Sequence, residues 1–277
     1  MRRTHVIGTS HVGAIREGWQ TVADRFPDEE MEFFAATRPL FERLHLDDRH
    51  RLYLPDAVAA RVPQVRNTLM KINGTLSADL HNSDTVLWAG FRWPMQEIGR
   101  ILADQDIDDI RVAGADRRMS RRAFAAVCRD LAAGFLPDAQ WRGWRKPALT
   151  VLLMPFRSES ALSAPKMEVW NALTARDDGV DTAFEAFFDQ MAEVFADHGI
   201  AVLRPPAEAR RPFGMTRAEY GVGSRGLRGP EHSDEDYVHM NADYGALCLQ
   251  HYFAGAPEGA LGDPMQPQPK IHATGEC

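Results

Sequence analysis

Cysteine is scarce in this chain. The 277 residues hold three, Cys128, Cys248 and Cys277, far apart and in no CxxC or His-spaced arrangement. That excludes a disulfide-stapled scaffold and the common zinc patterns. Cys128 in AFAAVCRDL and Cys248 in YGALCLQHYF fall on apolar, helix-like stretches, where a reduced thiol packs as a small hydrophobe. Positive charge is in deficit as well: 32 Lys and Arg stand against 39 Asp and Glu, a net charge of -7. A nucleic-acid surface needs basic residues gathered on one face, so nucleic acid is not an expected partner. Long apolar runs are missing. No stretch approaches the roughly 18 apolar residues of a spanning helix. The opening MRRTHVIGTSH breaks at Gly8, Thr9, Ser10 and His11 before any signal-peptide core forms. These absences point to a cytoplasmic protein without a membrane span.

What is present is an ordinary globular balance, 44% hydrophobic and 26% charged residues, enough to bury a sizeable core. Thr4 to Gly8 reads as a short strand, and Val12, Ile15, Trp19, Val22 and Phe26 then recur at helical spacing up to Pro27. MEFFAA (31–36), TVLWAG (85–90), ALTVLLMP (148–155) and IAVLRP (200–205) are further strand candidates. TVLWAG and ALTVLLMP are unbroken apolar runs, which suit central parallel strands covered on both faces. Helices are expected from about Ser120, over DTAFEAFFDQMAEVFADHG, and over the final HMNADYGALCLQHYF. Alternating strands and helices predict an α/β fold: a three-layer α/β/α sandwich around a parallel sheet of about five strands. Residues 1–254 form one domain on this reading. Residues 255–277, rich in Gly and Pro without periodicity, read as a flexible tail. The stretch from Arg38 to Asn67 gives no clear assignment.

Ligands bind at the carboxyl ends of the strands in such a sheet, which makes the turn after the first strand the first place to look. Ser10 sits there. A serine at a strand-to-helix turn can raise its hydroxyl above the sheet, with backbone N–H groups of the following helix start as oxyanion donors. It can also serve as a plain helix cap. Near the other end, SDEDYVHMNADYG places Asp236 three residues before His239. That spacing lets the carboxylate meet one imidazole nitrogen and stabilise the imidazolium formed when the ring accepts a serine proton.

A serine closing the first strand, with Asp-x-x-His leading into the last helix, resembles the SGNH or GDSL hydrolases. GTSH stands in the place of the Gly-Asp-Ser-Leu block and DYVHMNADYG in that of the terminal block. The resemblance implies the SGNH-type sheet with flavodoxin-like strand order and a Ser10–His239–Asp236 triad. It further implies an esterase or acyl hydrolase acting on a small acyl ester, such as an O-acylated sugar, with no metal or organic cofactor required. An O-acyltransferase using the same triad and a catalytically weak binding protein of the same fold are the alternatives.

The middle of the chain departs from that pattern. Gly74 in NGTL is the candidate for a second oxyanion glycine. Gly90 follows the third strand, but Arg92 in GFRW stands where an asparagine would be expected. Arg92, Asn73 or Asn82 could supply the missing donor. His11 could bind substrate beside the nucleophile but reads more simply as an exposed helix-start residue, His232 as part of a polar loop, and Asn241 as a first-turn residue or a holder of the His239 loop; neither histidine enters the triad. An insertion at about 91–147 gathers Arg92, Trp93, Arg117, Arg118, Arg121, Arg122, Trp141, Arg142, Trp144 and Arg145. Arginine forks beside aromatic faces suit a carbohydrate or an anionic acyl carrier, while such arginines also make solvated faces and such tryptophans also pack inward.

Overall fold

Five parallel strands form the central sheet of the computed structural model, which describes residues 1–255 except Arg145, Lys166 and Asp234. They are β1 (Arg2–Gly8), β2 (Glu29–Ala35), β3 (Thr85–Phe91), β4 (Ala148–Leu153) and β5 (Ile200–Leu203). The spatial order is β2-β1-β3-β4-β5. All four ladders are parallel, with Gly8 opposite Ala35 on one side and Ala89 on the other. The order reverses between β1 and β3, and the crevice at their carboxyl ends is where such sheets hold ligands.

The apolar runs are unbroken because both faces are covered. Val6 joins Leu87, Ala89 and Leu152 on one face, while its neighbour Ile7 joins Val86, Val151 and Leu153 on the other. Each fully buried side chain of this size contributes about 1.5–3 kcal/mol before entropy is counted. The first face is closed by α1 (Val12–Val22), through Val12, Ile15 and Val22, and by the chain's last described helix, Ala242–Gly255, through Tyr244, Cys248 and Leu249. Against the second face lie α2 (Pro63–Asn73), α3 (Met95–Asp104), α4 (Arg121–Ala133), α5 (Glu168–Ala175) and α6 (Val180–Ala196), with Leu69, Ile98, Phe124, Leu173 and Phe187 pointing inward. The Ala242–Gly255 helix is α7.

The crossing of α1 and α7 is unusually close. A Cβ on Gly18 would lie 2.3 Å from the Ala246 nitrogen, and one on Gly245 would lie 1.9 Å from the Ala14 carbonyl oxygen. Only glycine permits this contact, despite its cost inside a helix. The first and last helices are thereby brought backbone to backbone.

Several expectations shift in detail. The helix after Ser10 stops at Val22 and tightens into a 3₁₀ turn over Ala23–Arg25, because the residue before Pro27 is pushed out of helical geometry. The unassigned stretch holds two short helices, Arg38–Phe41 and Asp56–Arg61, then α2. Beside them is a small antiparallel sheet of His45–Leu46, Arg51–Tyr53 and Ser77–Asp79, strands too short to leave a pattern. The Arg/Trp-rich stretch is no appendage. Trp93, Trp141 and Trp144 are buried in the same core as Val86 and Val151, while Arg117, Arg118, Arg121 and Arg122 are exposed. Cys128 and Cys248 are buried free thiols, as expected, and burial pushes both up to about 12. Arg145 and the expected tail beyond Gly255, with Cys277, lie outside the described residues. No helix among the described residues is long and apolar enough to cross a membrane.

Candidate active site

Strand β1 ends on Gly8 because nothing larger fits there. Its φ is +146°, and a Cβ would meet the Ala89 carbonyl oxygen at 2.2 Å. The chain turns immediately, and the Ser10 carbonyl accepts the Gly13 N–H at 3.0 Å to open α1. The Ser10 hydroxyl plays no part in capping, since α1 has no side-chain cap. It lies instead 2.6 Å from Nε2 of His239, across 229 residues of sequence.

The partner loop is organised by Asp236. Its Oδ1 accepts the N–H groups of Val238 at 3.0 Å and His239 at 2.9 Å, and its Oδ2 lies 2.7 Å from His239 Nδ1. Burial works to raise the Asp236 carboxyl, but the His239 and Val238 backbone donors and the His239 ring outweigh it and hold the group at about 2. The carboxylate is therefore ionised near neutrality. An ionised Oδ2 accepts a hydrogen bond from His239 Nδ1–H, which fixes the tautomer and leaves Nε2 as acceptor for the Ser10 O–H. Asn241 secures this loop. Its Nδ2 donates to the carbonyls of Glu219 and Val222, and its Oδ1 accepts the Tyr244 N–H at the start of α7.

Ser10 and His239 open into a pocket of about 670 Å³. Trp88, Phe91, Leu136 and Met154 form its apolar wall, with Arg38 and Arg92 also at its edge. Arg92 is exposed, and Arg38 is held by Glu42 at 3.1 Å. Gly90 lines the same pocket at the bulge where the β3–β4 register shifts, with a φ of +72°.

The expected second oxyanion glycine is corrected. Gly74 is an exposed residue ending α2 in the left-handed conformation, φ +71°, and its N–H is spent on the Met70 carbonyl at 2.8 Å. A glycine after a helix does this commonly, and sequence order alone did not reveal which loop reaches the rim. Asn73 is also committed, giving Nδ2 to the Ala35 and Leu69 carbonyls and taking the Ala35 N–H on Oδ1. Asn82 is exposed and donates to Asp79 at 3.0 Å. The N–H of Ser10 has no backbone acceptor among the described residues.

His11 departs from its exposed reading, while His232 lies in a loop as expected. His11 is 9% exposed, against the pocket wall, with its ring centroid 5.4 Å from that of His239. The His232 ring stacks on that of His239 at a centroid separation of 4.2 Å, and its Nδ1 meets Ser224 Oγ at 3.1 Å. Gly90 was the available signal for His11, since a residue without a side chain leaves room for a ring. Ligand atoms of His232, Asp236 and His239 lie within 4.8 Å of one another and could hold a metal ion.

A second set of the same groups shows what the candidate site adds. His5 Nδ1 lies 2.7 Å from Ser83 Oγ, and its Nε2 lies 3.0 Å from Glu32. Ser83 is completely buried, so no substrate reaches it. Ser10 differs in facing a pocket.

Compared with known proteins, the chain matches no family model and shows no significant similarity to a curated protein or a solved structure. The functional reading therefore stands on the residues themselves.

Proposed function

We propose that this protein is a serine esterase or acyl hydrolase of the SGNH type, with Ser10 as nucleophile. The observation that carries the reading is the continuous Ser10–His239–Asp236 hydrogen-bond chain opening into the 670 Å³ pocket. Ser10 Oγ attacks the ester carbonyl carbon as its proton passes to His239 Nε2. The same ring then protonates the departing alcohol, and water repeats the sequence on the acyl-enzyme. Asp236 fixes the tautomer and faces the imidazolium. The Ser10 N–H is one donor to the oxyanion. The wall of Trp88, Phe91, Leu136 and Met154 suits a small acyl chain, and Arg92 at the edge suits a polar or anionic alcohol such as a sugar.

Fluorophosphonate labelling with p-nitrophenyl acetate and butyrate turnover tests this. Wild-type protein should take one label on Ser10 and hydrolyse the esters. Ser10→Ala should take none and lose activity by about 10⁶-fold, the scale found when a triad nucleophile is removed. A Ser10→Ala protein as active as wild type refutes the covalent mechanism.

A further inference from the structure

A carbonyl oxygen that gains charge during attack needs more than one donor, and removing one donor costs about 10²–10³-fold in rate. The Ser10 N–H is one. Gly74, Asn73 and Asn82 are committed elsewhere, and Arg92 is a mobile-length side chain exposed at the pocket edge.

His11 has the properties the second donor requires. It is adjacent to the nucleophile, nine-tenths buried, and borders the same pocket. Its ring fills the slot over Gly90, where a Cβ would lie 2.4 Å from His11 Cδ2. No hydrogen bond engages the ring among the described residues. Burial, with His239 and His232 nearby, holds the imidazole at about 3, so it is neutral near pH 7. A neutral imidazole carries one N–H donor, and with no protein partner among the described residues and the ring on the pocket lining, that donor is free to meet a ligand oxygen there. A neutral histidine polarising a substrate carbonyl is established chemistry in triosephosphate isomerase.

We propose that His11 is a catalytic oxyanion donor, its ring N–H meeting the carbonyl oxygen of the bound ester alongside the Ser10 N–H. The inference rests on the esterase reading above. As Ser10 Oγ bonds to the carbonyl carbon, the π pair of the C=O moves onto oxygen and the serine proton moves to His239. His11 transfers no proton. Collapse of the adduct restores the C=O, breaks the bond to the alcohol oxygen and returns the His239 proton to it.

The test uses His11→Phe, which fills the slot without a donor, and His11→Gln, which restores an N–H. Wild-type labelling comes first: no label on Ser10 sinks the esterase reading, and this proposal with it. With wild type labelled, His11→Phe should lose 100-fold or more in kcat and in labelling rate at little change in KM, and His11→Gln should recover part of the loss. A folded His11→Phe protein within about threefold of wild type overturns the proposal, as does a His11→Gln protein no better than His11→Phe. Should the variants not fold, the phosphonyl adduct of the wild-type protein decides. Its oxygen should lie within about 3.2 Å of a His11 ring nitrogen, and a separation beyond about 4 Å overturns the assignment.

Discussion

Acidification from pH 7.5 to 5.0 should cost the folded protein about 2 kcal/mol through His11 alone. Its imidazole is held at about 3 in the fold, first by burial and then by His239, whereas in the unfolded chain it titrates near 6.5. Below that value the unfolded state binds a proton that the folded state refuses, so stability falls with falling pH, by about 1.4 kcal/mol for each unit. The dependence is flat well above pH 6.5 and flattens again below about 3. His5 and His232 are also lowered by burial and act in the same direction, so the wild-type slope exceeds the His11 share. Asp236, held at about 2, loses its stabilising contribution only as pH falls from roughly 4 toward 2, outside this window. Urea titrations of wild type and His11→Gln at pH 7.5, 6.5 and 5.0 isolate the effect. The variant should lose about 2 kcal/mol less than wild type across the range. Equal losses in both proteins would mean that the His11 ring is hydrated or titrates normally, and the burial argument would be refuted.

Asp236→Asn should lower kcat by about 10⁴-fold, less than loss of the nucleophile, because an amide keeps a neighbour for the ring but inverts the preferred tautomer. Steady-state kinetics of Asp236→Asn beside Ser10→Ala and the Ser10→Ala/Asp236→Asn pair check this, and the double variant should be no slower than Ser10→Ala. Gly245→Val should separate α1 from α7, since its new Cβ meets the immovable Ala14 carbonyl at 1.9 Å. A drop of 3 kcal/mol or so in urea stability, with loss of fluorophosphonate labelling, is the expected result.

The central strands Thr85–Phe91 and Ala148–Leu153 were the most legible, because a sheet covered on both faces writes its inner strands as continuous short hydrophobic stretches. Ser10, Asp236 and His239 were legible for a different reason: each sits at an element boundary, where spacing carries meaning. Gly74 misled because a glycine that ends a helix and a glycine that approaches a substrate leave the same letter in the sequence. His11 was hidden by distance. Its burial depends on the slot opened by Gly90, and nothing near residue 11 records that. Gly18 and Gly245 carried a signal that went unread, glycine in the middle of two otherwise regular helices. The short strands at 45–53 and 77–79 have too few residues for any period to appear.

The glycine crossing of the first and last helices also bears on how the protein is made. Ser10 leaves the ribosome 229 residues ahead of His239, and between them the nascent chain can complete the ladders from β1 to β5 without α7. Until α7 emerges and docks, the groove along α1 that receives it exposes Val12, Ile15 and the flank of Gly18 to solvent, a sticky surface that invites chaperones. A nucleophile lacking its base throughout synthesis is chemically silent. Docking of α7 therefore closes the apolar groove beside the armed serine, so a chain halted before α7 leaves that groove open.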